Sequence, residues 1–284
     1  MIGQSYGRES HPYGFELEGE RHQPEAMAAA HQHCHLEILI LTRGSVEMLY
    51  GQQTMKLFAG DLLCYSALHF HQFGAVSDDA VAYSFRLPLF ALFNLQLSCG
   101  VKQQLFHGVP CRARCAGLVD DTMLARWVAE LRLCDPALDD LILDEITLLL
   151  RRLFKDACYT PPDQQISGVS GLKVSQHIPV MLQFINDNYH ASISVCDVAG
   201  HVGLHKNFAM TLFKKTLGMS ILEYLTALRV HHARRMLQYT GEQVTQIAYA
   251  SGFSSVTRFY EVFAKYFGES PQKYRKSCAL VGDD

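Results

Sequence analysis

Long apolar runs are missing from this chain. No stretch of its 284 residues reaches the roughly 18 consecutive apolar side chains that a membrane-spanning helix needs. The opening MIGQSYGRESHPYGFELEGE has no basic start leading into an apolar core, so a secretory signal is not expected. The nine cysteines are an odd number without paired spacing, which argues against a disulfide framework and for reduced thiols in cytoplasm. A glycine-rich phosphate loop is absent, and no nucleophile is paired with a base, so an enzyme is not expected and no cofactor is called for. Hydrophobic residues make up 49%, ample for a core, and the length favours two domains over one.

A large excess of one charge is also lacking, but the net −3 hides an asymmetry. Residues 171–276 hold twelve Lys and Arg against six Asp and Glu, whereas residues 1–170 hold thirteen against twenty. A basic C-terminal part beside an acidic N-terminal part suits a DNA-binding module joined to something that avoids DNA.

The N-terminal half reads as β structure followed by helices. Residues 1 to about 26 are polar and suggest an arm without regular structure. Alternating stretches then predict strands at Glu37–Leu41, Val46–Tyr50, Thr54–Leu57, Leu62–Tyr65 and Val81–Leu87, separated by Gly turns. Short strands with such turns argue a small sandwich or barrel. Helical periodicity follows over 121–133 and over 138–154, where Leu141, Ile142, Ile146, Leu149, Leu150, Leu153 and Phe154 form a wide apolar stripe. That stripe can cover the β structure or pair with its copy in a homodimer. Residues 160–176, rich in Pro, Gly, Ser and Gln, read as a linker between domains at 1–159 and 177–278.

The C-terminal part contains an internal repeat. Val198, Ala199 and Gly203 recur 49 residues later as Ile247, Ala248 and Gly252. Phe213, Lys215, Gly218, Ser220 and Tyr224 recur 50 residues later as Phe263, Lys265, Gly268, Ser270 and Tyr274. Two copies are too few for a solenoid. Each copy reads as a helix, a glycine turn and a second helix, and Ile221–Leu237 connects them. Such a unit can place the start of its second helix in a DNA major groove. Phe208, Phe213, Phe259 and Phe263 read as core.

Residues from about 179 to 276, and GFSSVTRFYEVFAKYFGESPQKYR above all, resemble the paired helix-turn-helix domain of the AraC/XylS family of bacterial transcription regulators. The resemblance implies a regulator, with activation expected, whose partners are double-stranded promoter DNA, RNA polymerase and a small-molecule effector. Asn207, Met210 and Thr211 in the first unit, and Val256, Thr257, Arg258 and Glu261 in the second, occupy the family's base-facing positions. Lys206, Lys214, Lys215 and Lys265 are candidates for phosphate contacts or solvated surface charges. A narrower likeness within the family, carried by His205–Met210, Arg258–Tyr260 and Ser270–Lys276, implies an α-galactoside-type sugar effector.

A histidine cluster marks the N-terminal half. His31, His33 and Glu37, then Gly44, Gly60 and His71, resemble the two motifs of the cupin barrel. Alternate residues of a strand share a face, so His31 and His33 can converge, while His35 reads as facing the other way. In metal-binding cupins His31, His33, Glu37 and His71 would hold one divalent ion. Ser66, Ala67 and Leu68 depart from the second motif, and these side chains can equally line an effector pocket or be ordinary barrel-mouth residues. The fold expected is α+β in two domains: a cupin-like β-barrel with accessory helices, then an all-α double helix-turn-helix. The rival is a metal-dependent cupin enzyme fused to a DNA-binding module.

Overall fold

A computed structural model describes residues 17–89, 91–133, 135–155 and 177–280. Two compact units divide the chain between Gln176 and His177. The linker expected at 160–176 lies outside the described residues, as does the arm up to residue 16.

The first unit begins with β1 (Glu18–His22), then β2 (His35–Arg43), β3 (Ser45–Tyr50), β4 (Gln53–Phe58), β5 (Asp61–Ser66), β6 (His71–Val76) and β7 (Val81–Pro88). Helices α1 (Ala91–Asn94) and α2 (Cys99–Phe106), strand β8 (Cys111–Arg114), and helices α3 (Asp121–Leu131) and α4 (Pro136–Leu153) complete it. One antiparallel sheet has the order β1-β7-β2-β5-β8 and the other β4-β3-β6. Leu39, Leu41, Leu63, Tyr65 and Ala82 of the first sheet meet Val46, Met48, Tyr50, Leu57 and Phe73 of the second in one buried cluster. The expected cupin-like β structure thus takes the form of two facing sheets that do not close into a barrel. Among the described residues their strand ladders do not join; the buried side chains connect them, together with an isolated backbone bridge from His71 of β6 to His31 ahead of β2. Strand β1 corrects the reading of residues 18–22 as arm. It forms because it pairs with β7, Glu18 opposite Arg86 and His22 opposite Ala82.

On the other face of the larger sheet, Phe85 packs edge-on against Trp127 of α3, with ring centroids 5.5 Å apart. Helix α3 lies against β1, and α4 against α3. Asp120 caps α3 by accepting from the Met123 amide. The α4 stripe divides: Ile142, Ile146, Leu149, Leu150 and Phe154 are buried, whereas Leu141 is exposed, as is Leu148, which lies outside the predicted stripe.

The second unit is helical: α5 (His177–Asn188), α6 (Val195–His201), α7 (Lys206–Leu217), α8 (Ile221–Tyr239), α9 (Val244–Ala250), α10 (Val256–Phe267) and α11 (Pro271–Leu280). Capping boxes start α6, through Ser194 and Asp197, and α8, through Ser220 and Glu223. Ser255 caps α10. Helix α8 touches α5, α7, α9, α10 and α11, and so braces both helix-turn-helix pairs, α6–α7 and α9–α10. Seven cysteines among the described residues are free thiols. No helix there is long and apolar enough to cross a membrane.

Candidate effector and DNA-binding sites

The histidines converge, but not by strand alternation alone. Residues 31–34 precede β2 and are held instead by backbone bonds to the segment around β6. His31 and His71 exchange amide-to-carbonyl bonds of 3.0 Å, and the His33 amide donates to the Ala67 carbonyl at 2.8 Å. The rings of His31 and His71 lie 4.2 Å apart, and those of His33 and His71 5.3 Å. Glu37 comes up from β2 between them, 3.2 Å from His33 Nε2 and 3.9 Å from His71 Nε2. All four predicted residues are therefore brought together. His35 is a correction: it has the parity of His33 and Glu37, and its Nδ1 lies 3.0 Å from His33 Nδ1.

Burial pushes the Glu37 carboxyl up. Hydrogen bonds and charge from His33, a hydrogen bond donated by Tyr65 and the charge of His71 overcome it, leaving a pKa of about 2. Burial pushes the His71 and His35 imidazoles down to about 4. A carboxylate thus sits beside the imidazoles of His71 and His35, which burial holds neutral, a set of acceptors and donors suited to hydroxyl groups. The ligand nitrogens of His31, His33 and His71 lie within 4.8 Å of one another, close enough to share one divalent ion.

The polar face extends beyond the motif. Arg86 donates to Glu18 at 3.0 Å and to Glu20 at 3.2 Å, and His22 bonds Ser84 at 2.8 Å. Register pairs Arg86 with Glu37 on β2 and with Glu18 on β1, so this row continues the Glu37 side of the sheet. The signal in the sequence was polar alternation in β7, Ser84 and Arg86 between Tyr83, Phe85 and Leu87.

In the second unit, α7 turns Ala209, Phe213 and Leu217 inward, and α10 turns Phe259, Val262, Phe263 and Tyr266 inward. Lys206, Asn207, Met210, Thr211, Lys214 and Lys215 are exposed on α7; Thr257, Arg258, Glu261 and Lys265 are exposed on α10. Val256 is half-buried at the first turn of α10. Arg258 points outward and pairs with Glu261 at 3.3 Å, both side chains more than 60% exposed. Such a pair is worth little and leaves the guanidinium available. Phe208 is a further correction: it is 57% exposed, because it lies opposite the inward row of α7.

A helix-turn-helix domain profile matches residues 198–277, and the AraC-like ligand binding domain profile matches residues 12–151. The melibiose operon regulatory protein of Escherichia coli K12 is 30% identical over 264 residues, 92% of this chain and 87% of its own length. The lactose operon transcription activator of Staphylococcus xylosus is 37% identical over 107 residues, 38% of each chain. The raffinose operon transcriptional regulatory protein of Pediococcus pentosaceus is 28% identical over 134 residues, 46% of this chain and 47% of its own. With both domains matched and a relative aligned along most of its length, the chain belongs to the AraC/XylS family of DNA-binding transcription regulators.

Proposed function

We propose that this protein activates an operon for carbohydrate use in response to a small sugar, of the α-galactoside kind. The carrying observation is that one chain joins two exposed recognition-helix faces to a partly buried carboxylate–imidazole cluster. The melibiose, lactose and raffinose regulators among its relatives support the sugar class. Residues 1–159 bind the effector on the His31, His33, Glu37 and His71 face, and residues 177–278 bind promoter DNA. Helices α7 and α10 enter successive major-groove faces roughly 34 Å apart. Asn207, Met210, Thr211, Val256, Thr257, Arg258 and Glu261 face the bases, and Lys206, Lys214, Lys215 and Lys265 the phosphates. Leu141 and Leu148, exposed one heptad apart on α4, give a seam for a homodimer. The protein works in the cytoplasm with RNA polymerase and without enzymatic turnover.

Calorimetry with melibiose and related galactosides tests the effector reading. The full chain should bind one of them. Replacing His31, His33, Glu37 and His71 together by Ala should abolish the heat of binding while circular dichroism shows the fold retained. Equal affinity in the folded variant removes this site. A second reading rests on the convergence of His31, His33 and His71: one divalent ion, as in a cupin enzyme fused to a DNA-binding module. Stoichiometric metal in the purified protein, together with turnover in a substrate screen, would favour it.

A further inference from the structure

The repeat assigns a role to the exposed Phe208. The offset of 50 residues that superposes Phe213 on Phe263 and Gly218 on Gly268 also places Asn207 on Thr257, Phe208 on Arg258 and Thr211 on Glu261. The structure treats the paired positions alike. Phe208 is 57% exposed, and the Arg258 side chain 62%. Each sits in the first turn of its helix, just before the first inward residue, Ala209 or Phe259. An isolated exposed aromatic residue needs no explanation in general. Here it stands on an exposed helix face with Asn207, Thr211, Lys214 and Lys215, polar or basic, and one other apolar side chain, Met210.

We propose that Phe208 is a specificity-determining residue that packs its ring on the 5-methyl group of a thymine in the major groove. The first unit would then read an apolar feature where the second, through Arg258, reads hydrogen-bond acceptors, since thymine alone presents a methyl in that groove. One tandem protein thus reads two unlike half-sites. The inference rests on the DNA-binding reading above.

The test uses the full chain and a duplex it selects from a random pool. Each thymine of that duplex is replaced singly by deoxyuridine, which removes the methyl and leaves every hydrogen-bonding group. Wild type should lose affinity by a factor of about four at one position, the worth of one buried methyl group. Phe208→Ala should bind more weakly, should no longer respond at that position, and should keep the wild-type response elsewhere. Phe208→Leu should recover part of the response, and melting temperatures should match wild type. A Phe208→Ala protein with an unchanged response at every thymine overturns the proposal. So does a lowered melting temperature that accounts for the weaker binding. Normal DNA binding with lost transcription activation would assign Phe208 to a protein contact instead. If wild type selects no sequence, the DNA-binding reading itself fails and this inference with it.

Discussion

His71 and His35 are held neutral by burial, with pKa values of about 4, and burial lowers His31 and His22 in the same direction. In the unfolded chain an imidazole takes its proton near pH 6.5. Between about 6.5 and 4 the unfolded state therefore binds more protons than the folded one, and stability falls as the pH drops through that window. Glu37 acts outside it. Its depressed pKa of about 2 contributes stability that is complete above the ordinary carboxylate range and is lost only towards pH 2. The melting temperature should accordingly be several degrees lower at pH 5 than at pH 7, and His71→Gln should flatten that slope. Calorimetric scans across this range check it, and a melting temperature that rises towards pH 5 would contradict it. The sequence disclosed His31, His33, Glu37 and His71 because their spacing is local or motif-like. It did not disclose Arg86, Glu18 or Glu20, whose meeting depends on pairing strands that lie more than sixty residues apart.

The two turns of the tandem units share a sequence position but not an environment. Gly203 and Gly252 both take positive φ, at 67° and 85°. A Cβ on Gly203 would meet nothing within 4 Å, whereas one on Gly252 would lie 2.5 Å from the Tyr189 carbonyl oxygen and 2.8 Å from Arg229 Nε. Neither neighbour yields easily, because Arg229 Nε donates to that same carbonyl at 2.7 Å. Gly203→Ala should cost only the left-handed backbone, about 1–2 kcal/mol. Gly252→Ala adds the clash and should cost on the order of 3 kcal/mol or more. Chemical denaturation of the two variants separates these cases, and equal costs would mean that the Tyr189–Arg229 contact gives way. At this scale the helix-turn-helix elements are legible, since Ser194, the Ser254–Ser255 pair and the turn glycines mark their ends; that Ser255 and not Ser254 is the cap comes from the structure. Strands β1, β6 and β8 are not legible. The first is polar because its inward face meets Arg86 and Ser84, β6 carries Gly74 in its middle, and β8 has only four residues. Phe208 was misread as core because sequence gives the residue type but not which side of α7 the rest of the unit covers.

For the whole molecule, the charge division becomes a statement about where DNA binds. The helices of the second unit form a compact body of their own beginning at His177, within the basic stretch of the sequence. A fragment starting there should therefore bind promoter DNA without the sensor unit. Its affinity should fall steeply with salt, because each neutralised phosphate releases condensed counterions. With Lys206, Lys214, Lys215 and Lys265 as the four phosphate contacts, log K against log salt should slope at roughly −3 to −4. Replacing any one of these lysines by Ala should make the slope shallower by about one and weaken all sequences alike, whereas Arg258→Ala should relax preference at one base pair and leave the slope nearly unchanged. Titrations of the fragment and its variants over a range of salt, on specific and scrambled duplexes, measure both quantities. Binding by residues 1–160 at low salt, with none by the helical fragment, would reverse the assignment of the two units.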